Sequence, residues 1–441
     1  MLHFSELEAR RSRELSATVP QNLPELPVEI WFKIFSFVTH IPGVYELYDY
    51  QSIAAFTRDI HGICLNERFK STMNSKLACS LVCKSWNRMI EPFLLEYLRI
   101  RSGNQACAIA HILEGSSWDT CASEGAGRWT RRIDFVLEGS YDWTFLDHTA
   151  MVKILQHCPN LVCFSNITCS DEVLRRCNLD TIITQLGKHT RLKRLEVKSE
   201  KNTLTSIEDS LANTLEILWV DGTSTTGSSS IKCMPKLRAW LGIGHGMYHS
   251  NLDLPVLRAC AFENCALRET FLLADKIEYL EVNNNRPMEV LTDLSACPRL
   301  LVLSTTILNL WSLLDHVTLA ANFTSKSIER ILINDCESIL HKRIFTPESS
   351  LYWSKVDRVL AYLTSQSNFP NLRCIGIFAA VSTRKKYLGI SPAFEIMTSQ
   401  NWLKNCHERK IKLEISEGAM EWVGDEWREV LYDASLCETW D

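Results

Sequence analysis

Along the first hundred residues the apolar positions fall at helical spacing in two short stretches. Ile30, Ile34, Phe35 and Val38 recur at i, i+4, i+5 and i+8, a single buried stripe, while Lys33 faces water. Pro27 suits the first helical position, because the N–H it lacks would have no intrahelical partner there, and Glu29 favours the positive helix end. The run His40-Ile41-Pro42-Gly43 then ends the helix. A second pattern, Leu77, Leu81, Val82, Trp86, Met89 and Ile90 with Lys76, Lys84, Asn87 and Arg88 between, predicts another helix that Pro92 breaks. Two helices this short bury too little to stand alone and leave Phe35 and Trp86 with apolar area in water, so the pair calls for a partner. Between them Thr39 to Ser75 carries Tyr45, Tyr48, Tyr50, Phe56 and Phe69, with a helix expected near Gln51–Ile60, which suggests a folded lid.

From residue 95 onward the period changes. The pattern L-x-x-L-x-L-x-x-N/C is met by Leu257, Cys260, Phe262, Cys265, again by Ile277, Leu280, Val282, Asn285, and again by Ile328, Ile331, Ile333, Cys336. Looser copies start at Leu95, Ile133, Leu161, Leu192, Leu215, Leu237, Leu300 and Leu372. From Leu161 to Ile328 successive starts are 31, 23, 22, 20, 20, 23 and 28 residues apart, a spacing that resembles leucine-rich repeats. Pro stands two residues before the repeat leucine at Pro159, Pro235, Pro255, Pro298 and Pro370, where it is expected to end a turn and open a strand. Helices are expected at Thr149–His157 and Thr205–Ala212. Residues 340–368 and those beyond Lys386 fit poorly. From Glu414 to Asp441 nine acidic residues accompany Arg428 alone, with Trp422, Trp427 and Trp440; a terminal cap and an acidic interaction tail both remain open.

Stacked units of this kind cover one another's apolar faces and form one curved parallel sheet. Side chains between the inward leucines point to its concave face, because strand residues alternate with period two. That selects Arg194, Glu196, Lys198, Trp219, Asp221, Leu241, Glu263, Tyr279, Glu281 and Arg330 as candidates to bind a target. Trp219, Tyr279 and Arg330 are the residue types that dominate interface energetics.

Composition narrows the classes. Apolar residues make up 46% and charged ones 22% of the 441, a globular balance that fits a small domain plus a repeat array. The net charge of −5 lacks the basic clustering that nucleic-acid binding needs, so the expected partners are proteins. Met1 to Asn22 mixes charges without an apolar stretch, and the longest uncharged apolar run, Leu300–Leu314, has 15 residues, short of the roughly 20 that span a bilayer. A soluble protein of the cytoplasm, the nucleus or both is expected, with no membrane partner. Seventeen cysteines without a framework spacing read as reduced thiols.

Motifs that imitate chemistry have structural readings. His245 and His249 with Cys260 and Cys265 offer four zinc-type ligands, yet the repeat register already accounts for both cysteines. Cys79 and Cys83 lie on a helix without a matching histidine pair. Gly242-Ile243-Gly244-His245-Gly246 lacks the lysine and the spacing of a phosphate loop and reads as a turn. No G-x-S-x-G elbow or nucleophile–base arrangement stands out, and Arg384-Lys385-Lys386 reads as a solvated loop. No enzyme, metal or cofactor is expected.

Leu26-Pro27-Val28-Glu29-Ile30, then Ile34-Phe35, then Leu81-Val82-Cys83-Lys84-Ser85-Trp86 with Pro92-Phe93-Leu94 behind, resemble the F-box over residues 22–94. The departure is the insertion of about 35 residues between Thr39 and Ser75, where the family has a short link. The resemblance implies docking on the Skp-type adaptor of an SCF-type cullin–RING ubiquitin ligase. Leu26, Pro27, Ile30, Ile34, Phe35, Leu81, Val82, Cys83 and Trp86 would form or support that surface. The expected fold class is then α+β. After a polar tail at 1–21 comes a small all-α F-box module at 22–94 with its insertion at 39–75, followed by an α/β leucine-rich-repeat solenoid over 95–441. Such a chain would be a non-catalytic substrate-recognition subunit that holds an unknown target protein; the alternative is a leucine-rich-repeat scaffold without a role in ubiquitin transfer.

Overall fold

The computed structural model describes residues 26–41, 43–48, 50, 63–115, 125–137, 143–170, 172, 174, 179–198, 207, 210–221, 233–243, 254–263, 275–283, 297–315, 324–334, 348–377, 400–415, 418–423 and 426–430. Among the described residues the first helices are α1 (Val28–Thr39), α2 (Ile63–Ser80) and α3 (Lys84–Glu96). Pro27 is the N-cap of α1 rather than its first helical residue, with extended backbone at φ −52°, ψ 145°. Its carbonyl accepts from the Ile30 and Trp31 amides, so the proline's missing N–H costs the helix nothing.

The helix expected from Leu77 through Ile90 is two helices. α2 stops at Ser80, residues 81–82 turn, and Cys83 caps α3 with extended backbone, its thiol accepting from the Trp86 amide at 3.4 Å. The turn carries α3 back against α1, where Phe35, Ile90 and Phe93 form a buried centre. Trp86 packs edge-on to Phe35 at 5.1 Å between ring centroids and lies 4.7 Å from Trp31. Pro92 sits inside α3 instead of ending it. An interior proline costs about 3 kcal/mol, and burial of Ile90 and Phe93 on either side of it offsets that cost. Lys76 of α2 is buried and donates to the Phe93 carbonyl at 2.7 Å, capping the end of α3; burial pushes its ammonium down to about 8.

Helix α3 runs directly into a sheet of 14 strands arranged in chain order. The strands are β1 (Tyr97–Ile100), β2 (Arg132–Phe135), β3 (Cys163–Ser165), β4 (Arg194–Lys198), β5 (Ile217–Asp221), β6 (Ala239–Ile243), β7 (Ala259–Glu263) and β8 (Tyr279–Asn283), then β9 (Val302–Thr306), β10 (Arg330–Asn334), β11 (Cys374–Ile377) and β12 (Lys412–Ile415). These twelve are all parallel. An antiparallel hairpin, β13 (Gly418–Val423) and β14 (Glu426–Val430), closes the far edge with Trp422 opposite Trp427. The acidic C-terminal end is therefore part of the sheet as far as Val430; residues 431–441 lie outside the described residues, as do the tail at 1–21, the expected helix at 51–60 and the motifs at His245, His249, Cys265 and Arg384.

The apolar pattern locates the strands closely. Leu95, Leu161, Leu192, Leu215, Leu237, Leu257, Ile277, Leu300, Ile328 and Leu372 each stand two residues before a strand. Ile133 is the exception: it pairs with Leu98 inside the strand, so the true start is Thr130. The prolines act one step earlier than expected. Each follows a buried residue whose carbonyl accepts from the leucine three positions on: Cys158 to Leu161, Met234 to Leu237, Leu254 to Leu257, Cys297 to Leu300 and Phe369 to Leu372. The proline is the second residue of a β-turn, where its fixed φ is already correct.

One face of the sheet is packed by helices α4 (Gly103–Gly115), α5 (Phe145–His157), α6 (Leu179–Leu186), α7 (Ile307–Asp315), α8 (Glu348–Leu363) and α9 (Gln400–Arg409). Leu98, Phe135, Phe164, Leu195, Leu280, Leu303, Ile331 and Ile375 meet Ile154, Leu186, Leu360 and Trp402 there. α5 begins four residues before the expected Thr149, at a capping box in which Thr144 and Asp147 satisfy one another's backbone. Of the helix expected at 205–212, only residues 207 and 210–212 are described. No helix among the described residues is long and apolar enough to cross a membrane.

Candidate functional site

Two surfaces carry the residues singled out by the sequence. The first is the helical cluster. Phe35 is its buried core, 1% exposed, and supports the surface from beneath, and Trp86 is half-buried on Phe35 and Trp31. Leu26, Pro27, Ile30, Ile34, Val82 and Cys83 are exposed, and Leu81 stands 85% exposed at the α2–α3 turn. Ile30, Ile34 and Val38 follow one another along one side of α1, with Val28, Phe37 and Leu77 also in solvent. Helices this short normally cover such side chains, and single scattered apolar residues would need no comment; here they line successive turns of one helix and the adjoining connection.

The second is the sheet face opposite α4–α9, here called the front face. Parallel pairing sets its side chains in rows. One row runs Tyr97, Arg132, Cys163, Arg194 and Ile217, and on through Ala239 and Ala259 to Tyr279. The next runs Asp134, Ser165, Glu196, Trp219, Leu241, Ala261 and Glu281. Arg132 and Arg194 are two strands apart, roughly 10 Å, and both reach the carboxylate of Glu196. Arg132 Nη2 lies 2.8 Å from Glu196 Oε2, and Arg194 Nη2 lies 2.6 Å from Oε1. Arg132 Nε also meets Asp134 Oδ1 at 2.7 Å, and the Tyr97 hydroxyl donates to the other Asp134 oxygen. Burial pushes the Glu196 carboxyl up, but the two guanidiniums outweigh it and hold the group down at about 2.

The front face is covered by the chain itself. After α1, residues 41, 43–48 and 50 cross it as a strap with Gly43 at φ 83°, the left-handed geometry that glycine adopts freely. Ile41 and Val44 are buried against a cluster that includes Tyr97, Ile217, Trp219, Leu241 and Tyr279. Arg194 Nη1 donates to the Gly43 carbonyl at 2.6 Å and Arg132 Nη1 to that of Val44 at 3.2 Å. The guanidiniums of Arg131 and Arg238 lie 4.8 and 4.9 Å from the ring centres of Tyr45 and Tyr48, and Tyr50 approaches Tyr279 at 6.3 Å. An ion pair, His40 Nε2 to Glu46 Oε1 at 3.2 Å, closes the strap's turn, and the Glu46 hydrogen bond raises the imidazole's pKa.

Arg194 and Glu196 are thus on the expected face but fully buried, and Trp219, Tyr279 and Glu281 are nearly so. The Tyr279 hydroxyl donates to Glu281 at 2.8 Å. Arg330 is half-buried and ion-paired with Glu414 on β12. Asp221 holds its place in β5, its side chain lying outside the described residues. Arg132, Asp134 and Tyr97 were missed. Starting the pattern at Ile133 instead of Thr130 moved the expected strand past Arg132 and Asp134; the correct frame would have found both. Among the described residues no cluster of His, Cys, Asp and Glu could hold a metal ion, and the eleven cysteines whose side chains are described are free thiols. In comparisons with known proteins, no family model matches this chain and no curated protein does.

Proposed function

We propose that this chain is the substrate-recognition subunit of an SCF-type ubiquitin ligase, docking a Skp-type adaptor through an F-box at 22–94 and a target protein through a leucine-rich-repeat solenoid. The observation that carries the reading is the apolar side of the helical cluster, with Leu81 at the α2–α3 turn and Ile30 and Ile34 on α1 exposed while Phe35, Ile90 and Phe93 already form the cluster's own core. Such side chains gain about 25 cal/mol per Å² when another polypeptide covers them. Of the residues that match the F-box pattern, Leu26, Pro27, Ile30, Ile34, Leu81, Val82 and Cys83 are in solvent, while Phe35 and Trp86 pack beneath them. The chain performs no bond chemistry in this reading; it raises the effective concentration of a target's lysines near a charged conjugating enzyme.

The test is capture of a purified Skp-type adaptor by the full chain, with Leu81→Asp plus Val82→Asp as the variant. Both side chains are exposed, so the substitutions leave the Phe35 core in place. Wild type is expected to hold the adaptor and, through it, a cullin; the variant is expected to lose at least tenfold in affinity. Equal binding by the two proteins would end the assignment, and adaptor binding without cullin recruitment would favour the scaffold.

A further inference from the structure

We propose that the front face over β1–β8 is a peptide-binding groove, and that residues 41–50 occupy it as a displaceable internal ligand that a target must replace. This deepens the reading of the sheet as a target-binding surface and rests on it.

Four observations support displacement over permanent packing. Its backbone is held by side chains, through Arg194 to Gly43 and Arg132 to Val44, and none of its described residues enters the sheet's pairing. Among its described residues only Ile41 and Val44 are fully buried apolar side chains, with Tyr45, Leu47 and Tyr50 partly buried beside them, a short irregular segment of the kind that opens locally before a sheet does. The floor beneath is also of the wrong kind for a structural core. It is built of Arg132, Asp134, Arg194 and Glu196, which satisfy one another, beside Trp219 and Tyr279. Replacing such buried ion networks by apolar residues is often neutral or stabilising, so packing alone does not explain them. Finally, the Trp219 indole N–H is buried and meets no hydrogen-bond acceptor among the described residues, a donor that a better-fitting occupant would satisfy.

The strap also describes its competitor. A fitting peptide offers two backbone carbonyls to Arg132 and Arg194, aromatic rings to Arg131 and Arg238, and a further acceptor to Trp219. The groove's front rim therefore selects a bent, aromatic-rich segment, not a basic one.

The experiment uses the full chain with residues 41–50 replaced by ten Gly and Ser residues, and a fluorescent peptide copying residues 41–50 as probe. The replaced chain should keep its thermal transition and bind the peptide saturably, at least tenfold tighter than wild type does. A peptide with alanine at both positions equivalent to Tyr45 and Tyr48 should lose that binding. A milder full-length variant, Tyr45→Ala plus Tyr48→Ala, should bind the unaltered peptide between these limits. A folded replaced chain that ignores the peptide would overturn the proposal. So would a replaced chain that no longer folds, since the strap would then belong to the core. No adaptor enters this assay, so its failure leaves the adaptor reading standing, and the converse.

Discussion

Glu196 receives two guanidiniums, Arg132 and Arg194, in a site with no solvent access. Removing one partner of such a group strands the other charge, which typically costs 3–5 kcal/mol. Arg194→Leu is accordingly expected to lower the unfolding free energy by that order in urea titrations, while Arg373→Leu, whose ion pair is exposed, should change it by less than about 1 kcal/mol. The same cluster sets an acid dependence. The Glu196 carboxyl sits at about 2 in the folded chain, below its ordinary 4.5, so its stabilisation is present above pH 4.5 and fades as pH falls toward 2. Asp134, raised by burial, works in the opposite direction. Glu196→Gln should thus be less stable than wild type at pH 7, with the gap narrowing below pH 4.5; an unchanged gap at pH 3 would contradict this assignment. Orientation was legible in these residues, and burial was not. Period two put Arg194 and Glu196 on the correct face, whereas their cover comes from Gly43, 151 positions away from Arg194, a separation that no local pattern encodes.

Among the elements, those fixed by local rules were the readable ones. At Leu161, Leu192, Leu237, Leu257, Leu300 and Leu372 the strand follows because the leucine is held by a turn whose second residue is proline or, before Leu192, Thr190. The α2–α3 break was illegible because Leu77, Leu81 and Trp86 keep helical spacing across it, and a thiol is a weak N-cap signal beside Ser, Thr, Asp or Asn. Cores and surfaces should respond differently in these helices. Phe35→Ala removes the ring against which Trp86 and Phe93 pack and should cost about 3–5 kcal/mol. Leu81→Asp, in solvent, should stay within about 0.5 kcal/mol by thermal denaturation. A further check on an element boundary is Thr144→Ala, which removes one half of the α5 capping box and should cost about 1 kcal/mol.

For the whole molecule, chain order and strand order coincide from β1 to β14, so neighbouring units bury one another and α3 passes without a break into β1. A small helical cluster with exposed apolar side chains is thereby attached to a long sheet whose front face the chain covers for itself. Composition and spacing foretold the parallel sheet; the strap was foretold only as a lid of unknown placement. The decisive measurement for the proposed docking role of the helical cluster is hydrogen–deuterium exchange of the full chain with and without a purified Skp-type adaptor. Added protection confined to residues 26–39 and 77–90, with the strands unchanged, is expected. Absence of protection there, or protection appearing on the sheet instead, would contradict it.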